Sequence, residues 1–64
     1  MTLGERIKAR REAHGMKQVE LARAVQTSQA MICQIERGTK LPSLPLGAAI
    51  AAALGCSAED LLKG

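Results

Sequence analysis

The sequence predicts an all-α fold: a compact domain of five short helices. Three observations carry that expectation. Aromatic residues are absent while 47% of the 64 residues are hydrophobic, so the core must be built from Leu, Ile, Val, Met and many Ala. Such a supply suits close-packed helices better than a sandwich or a barrel. Two short helical patterns, residues 18–25 and 29–37, stand about three residues apart, and neither is long enough to be stable alone. Helix-start and helix-stop residues recur along the whole chain, with loops of a few residues between them. A chain of 64 residues allows one small domain with little surplus stability.

The first helix spans about residues 2–14. Thr2 and Glu5 have the S/T-x-x-E spacing of a capping box. Leu3 and Ile7 face inward at i, i+4, while Arg6, Lys8, Arg10, Arg11 and Glu12 supply charge. His14 suits the negative end of the helix dipole, and Gly15 is the expected left-handed cap. The second helix, about 18–25, has an incomplete start. Lys17 sits at the N-cap without an acceptor, so Glu20 supplies only half of a capping box. Met16 begins the packing here. Leu21, Ala22 and Val25 share one side, and the small Ala22 lets the next helix cross close by.

Gln26, Thr27 and Ser28 make the turn, with Ser28 as N-cap of the third helix, about 29–37. Ile32 and Ile35 point inward, and Gly38 ends the helix. Thr39 to Pro42 form a loop containing Lys40. Ser43 caps the fourth helix, about 44–54, with Pro45 tolerated in its first turn. Leu46, Ala49, Ile50, Ala53 and Leu54 form its apolar stripe, and Gly55 ends it. Gly47 inside this helix costs about 1 kcal/mol relative to Ala. Ser57 caps the fifth helix, about 58–63, with Glu59 and Asp60 in its first turn. Leu61 and Leu62 are expected to return to the core, and Cys56 to pack between the last two helices.

The net charge of +3 is unevenly spread. Residues 1–44 hold eight Lys/Arg against four Asp/Glu, whereas residues 45–64 hold Lys63 against Glu59 and Asp60. The basic half contains the two-helix unit, which suits a polyanionic partner. One histidine and six mostly surface carboxylates offer no nucleophile or acid–base constellation, so an enzyme is not expected. His14 with two separated cysteines makes no metal site, and no cofactor is implied. Two cysteines make no disulfide framework, no signal peptide is seen, and no apolar run approaches a membrane span of about 18–20 residues. A reduced cytoplasmic setting is the expectation, at the nucleoid if the partner is DNA.

The third helix carries the chemistry. At about 100° per residue, with Ile32 and Ile35 inward, Ala30, Cys33, Gln34 and Arg37 point outward. Gln29 lies on the flank, but at the helix N-terminus. A helix held by its inner face that offers amides and a guanidinium outward is a candidate for reading duplex DNA.

Taken together, these residues resemble the helix-turn-helix family of the lambda-type phage repressors and Cro proteins, the XRE type. The matching elements are Arg11, Gly15-Met16-Lys17-Gln18, Glu20-Leu21-Ala22, Ser28, Ile32, Ile35-Glu36-Arg37-Gly38, Pro42-Ser43-Leu44, Ile50-Ala51, Ala53-Leu54-Gly55 and Leu61-Leu62. They cover nearly the whole chain. The resemblance implies a lambda-repressor-like fold and a transcriptional regulator, a repressor by expectation. It implies a homodimer on a near-palindromic operator, with the third helix in the major groove.

By the same resemblance Gln29, Ala30 and Gln34 are base readers. Glutamine pairs with adenine at N6 and N7, and an alanine methyl either meets a thymine methyl or simply leaves room for a base. Lys17, Gln18, Arg37 and Lys40 are candidate backbone contacts, and Ser28 combines an N-cap with a contact of that kind. Arg11 and Glu36 match an ion pair that fixes the third helix. Leu41, Leu44, Ala58 and Leu61 are candidate dimer contacts.

Two departures from the family pattern matter. Gln26 occupies the turn position where the family usually has glycine, so the turn is either strained or remodelled. Lys17 replaces a capping residue. Two other readings compete. One is a helical protein-interaction module that uses an exposed Met31, Leu41 and Leu44 region. The other is an antitoxin or restriction controller whose main partner is a protein. An additional sensor domain is compatible with the pattern.

Overall fold

The computed structural model describes residues 1–63, and every expected helix is present in order. They are α1 (Leu3–Ala13), α2 (Gln18–Ala24), α3 (Gln29–Arg37), α4 (Leu44–Ala53) and α5 (Ala58–Lys63). Their ends follow from side-chain chemistry. At α1 the Glu5 amide donates to Thr2 Oγ1 (3.1 Å) and the Thr2 amide donates to Glu5 Oε1 (2.8 Å), closing the capping box. At α2 the Lys17 amide donates to Glu20 Oε1 (2.7 Å), and no side-chain cap answers it. Ser28, Ser43 and Ser57 accept from the amides three residues on. These bonds satisfy backbone donors that the first turn would otherwise leave unpaired.

Four helices end in the same way. At the end of α3, Thr39 N–H bonds the Gln34 carbonyl across left-handed Gly38. Met16 N–H bonds the Arg11 carbonyl across left-handed Gly15, and Cys56 N–H bonds that of Ala51 across Gly55. At the end of α2 the Thr27 amide bonds the Ala22 carbonyl across Gln26, which has φ +58°. This is a Schellman closure with a glutamine where the other three use glycine. The turn keeps its left-handed geometry and carries the strain, rather than being remodelled.

The buried core is Ile7, Leu21, Ala22, Ile32, Ile35, Ile50, Ala51, Leu54 and Leu61. α3 packs on α2 and α1, α5 closes against α4 and α1, and α4 also meets α2. Gly4 is buried where α1 meets the end of α3. A Cβ there would press on the Ile35 carbonyl and lie 2.5 Å from that of Glu36, so only glycine permits this approach. Two side chains tie distant segments through backbone carbonyls. Arg6 donates to the Leu61 and Leu62 carbonyls (3.1 and 2.6 Å), and His14 Nε2 bonds the Leu54 carbonyl (2.9 Å).

Three expectations about burial are corrected. Leu62 is 67% exposed rather than in the core, because the short α5 turns only Leu61 inward. Leu61 is 3% exposed, so this dimer candidate belongs to the core of its own chain. Met31 is half-buried and packs against the core, because it lies beside Ile32 and Ile35 on α3.

Candidate nucleic-acid interface

α3 stands on its neighbours through Ile32, Ile35 and Glu36, all buried. Glu36 is the acceptor for three donors. Arg11 Nε donates to Oε2 at 2.7 Å and Arg11 Nη2 to Oε1 at 3.1 Å, while Gln18 Nε2 donates to Oε1 at 3.0 Å. Arg11 Nη1 also donates to the Met16 carbonyl (2.6 Å). The side chains of Arg11 and Glu36 are 9% and 4% exposed. Donation to Glu36 raises the Arg11 pKa further above its ordinary value, with burial opposing. The expected ion pair is therefore present, and it locks α1, the start of α2 and the last turn of α3 together. Gln18 as a third member was not legible from the sequence, since nothing in its spacing sets it against Glu36.

The remaining face of α3 is open. Gln29, Ala30, Gln34 and Arg37 are exposed and Cys33 is half-buried. No Lys, Arg, Asp or Glu occurs on α3 before Glu36, so its first two turns offer amides, a methyl and a thiol only. Ser28 performs its capping role, its Oγ accepting from the Met31 amide at 3.1 Å. Past the helix, Thr39 Oγ1 (3.1 Å) and the backbone amides of Thr39 (3.0 Å) and Lys40 (3.3 Å) donate to the Gln34 carbonyl. This folds the loop back onto α3 and holds Lys40 near its end. Lys17 and Lys40 are exposed like Arg37, and Gln18 is half-buried.

A second surface lies on the α4–α5 side. Leu3, Ile7, Pro42, Leu44, Leu61 and Leu62 line an apolar groove that Leu41 and Ala58 also border. Leu41 and Leu44 are 81% and 91% exposed, and Ala58 is exposed as well. Leu61 forms part of the floor of this groove.

Two short helices joined by a tight left-handed turn, the second braced from behind and bare in front, define a helix-turn-helix protein. The chain belongs to the helix-turn-helix family, whose model matches residues 7–61. It is 44% identical over 62 residues to the immunity repressor protein of Bacillus phage phi105, a match covering 97% of this chain and 43% of that protein. It is 34% identical over 64 residues to the HTH-type transcriptional regulator DdrOP3 of Deinococcus deserti, covering 100% of this chain and 50% of that one. The chain thus spans half or less of the length of these curated relatives. Among solved structures it superimposes on the P22 c2 repressor protein, in complex with a synthetic operator, with a TM-score of 0.96. The identity there is 39%, over 100% of this chain and 97% of that one.

Proposed function

We propose that this chain is a sequence-specific duplex-DNA-binding domain of a transcriptional regulator, a repressor acting as a homodimer on a near-palindromic operator. The observation that carries the reading is the division of labour on α3. Its inner face is fixed by Ile32, Ile35 and the Arg11–Glu36–Gln18 network, and its outer face is open and uncharged over two turns, with the Gln29 and Gln34 amides beside Ala30 and half-buried Cys33. Gln29, Ala30 and Gln34 read bases, while Lys17, Gln18, Arg37 and Lys40 meet phosphates and set register. The relatives support the reading: one is a repressor by name, and the P22 c2 repressor protein is solved with an operator.

The apolar groove bordered by Leu41, Leu44 and Ala58 receives the second copy, placing two copies of α3 about 34 Å apart, one turn of duplex. The role is binding rather than catalysis: the one histidine is engaged with the Leu54 carbonyl. No helix among the described residues is long and apolar enough to cross a membrane, in keeping with work at the nucleoid. Selection of bound sequences from a random duplex pool at moderate salt tests the proposal. It predicts a palindromic consensus, and a pool without enrichment refutes it.

A further inference from the structure

We infer that Gly47 leaves a socket in α4 and that Leu44 of a second copy fills it, each copy giving the other one leucine. The inference rests on the chain acting as a homodimer and names the contact on which the two copies meet. Positions 47, 50, 51 and 54 follow the i, i+3, i+4, i+7 spacing of one helix face, and Ile50, Ala51 and Leu54 are all buried in the core. Position 47 continues that row toward the start of α4, where it lines the apolar groove with Leu3, Ile7 and Leu61. The row ends there without a side chain.

Nothing within the chain requires that glycine. The positive φ angles belong to Gly15, Gln26, Gly38 and Gly55, not to Gly47. Among the described residues, the nearest atom outside α4 to an added Cβ is Pro42 Cγ at 3.8 Å, an ordinary contact. Gly4 differs, since a Cβ there would strike the end of α3. Glycine at position 47 therefore weakens α4 and leaves space that its own chain does not use. The helix shows the same character over its whole length. From Leu44 to Leu54 it has no polar side chain, the pattern of a helix covered all round. Here Leu44, Pro45, Ala48 and Ala52 are exposed.

A second copy fits the socket on three counts. Among the described residues no charged side chain lines the groove, and its one polar side chain, Ser43, is occupied in capping α4. Each copy carries a net charge of +3, so two copies repel unless they meet on a face free of cations. Projection and socket also lie on one patch. Leu44 is 91% exposed, and it precedes Gly47 by three residues, about 4.5 Å along the helix axis. A two-fold axis presents a patch to its identical counterpart. With that axis passing between the two positions, antiparallel α4 helices place each Leu44 against the Gly47 of the other copy.

The test uses the palindromic duplex selected from the random pool and the same duplex with one half-site scrambled. Two quantities are measured for each variant: the cooperativity with which a second protomer joins the first, and the folding equilibrium constant from urea unfolding. Gly47→Ala is expected to raise the folding constant about fivefold, the difference in helix propensity. Gly47→Leu is expected to raise it further, because its side chain fills the socket of its own chain. Both should lower cooperativity, Gly47→Leu by at least about tenfold, the scale of one leucine losing its burial. Affinity for the single half-site should not change. Leu44→Ala should lower cooperativity in the wild type and have no further effect in Gly47→Leu. The opposite signs distinguish a socket from a glycine with no partner, whose replacement would raise stability and leave cooperativity as it was. That result overturns the inference, as does a loss of stability in both Gly47 variants, or a Leu44→Ala variant as cooperative as the wild type. A wild type that fills the two half-sites independently overturns the homodimer as well, whereas a pool without enrichment overturns DNA binding itself.

Discussion

Replacing Glu36 by alanine removes the acceptor for three donors at once: two from Arg11 and one from Gln18. The Arg11 side chain is 9% exposed, so its guanidinium would keep its charge with little access to water. Removing one member of a buried pair typically costs about 3–5 kcal/mol. In so small a domain water lies close to every buried group, which puts the expected loss near the lower end, about 3 kcal/mol. A chain of this length has roughly 3–10 kcal/mol of total stability, so Glu36→Ala should remove between about a third and all of it. The double replacement Arg11→Met, Glu36→Leu removes both charges and keeps apolar volume. It should recover to within about 1 kcal/mol of the wild type.

Urea unfolding followed by far-UV circular dichroism measures Glu36→Ala and all the corners of the cycle, with Arg11→Met and Glu36→Leu as its single variants. A coupling of at least about 2 kcal/mol between the two positions is expected. If each single change costs under about 1 kcal/mol and the two simply add, the pair behaves as a solvated surface contact, and its role in holding α3 is wrong.

Three further outcomes are expected. Gln26→Gly relieves a left-handed φ that costs a side-chain-bearing residue about 1–2 kcal/mol. The extra backbone freedom of glycine offsets about half of this, so the melting temperature should rise by a few degrees; an unchanged or lower value contradicts the strain. Glu5 and Asp60 have pKa values held below their ordinary 4.5 and 3.8, chiefly by hydrogen bonds from the Thr2 and Ser57 amides. Their contribution to stability is therefore complete above the unfolded-state values and is lost as pH falls through the lower folded-state values. Melting temperatures should hold between neutral pH and about pH 5 and decline below about pH 4, a decline that Glu5→Gln should lessen. Leu44→Glu places a charge in the apolar groove at a residue 91% exposed. Domain stability should change by no more than about 0.5 kcal/mol, while sedimentation with operator DNA should show one protomer where the wild type shows two. Two bound protomers of the variant would move the dimer contact elsewhere.

Helix order and ends were legible because capping is local: Thr2, Ser28, Ser43 and Ser57 act within three residues of themselves, and Gly15 and Gly55 accept the φ their helix ends require. The Arg11–Glu36 pair was reached through the family pattern. Other links depend on distances that only the packed chain sets. Gly4 reads as a poor helix former until the end of α3 is laid against it. Gln18, Arg6 and His14 find partners 18, 55–56 and 40 residues away, and no periodicity announces them. Leu61 and Leu62 are adjacent and alike, so composition could not say which turns inward. In the alanine-rich α4 nearly every position is apolar, which is why buried Ala51 fell outside the expected stripe.

The central claim is that α3 reads sequence while the flanking cations only anchor it. Binding of Gln29→Ala and Lys40→Ala to the selected duplex and to a scrambled one, over a range of salt concentrations, tests that claim most directly. Gln29→Ala should lose about 1–3 kcal/mol on the selected duplex and nothing on the scrambled one, with the salt dependence unchanged. Lys40→Ala should weaken both duplexes alike and reduce the salt slope by about one. If the two variants weaken every duplex equally, or if binding does not respond to salt, the division between reading and anchoring residues is contradicted.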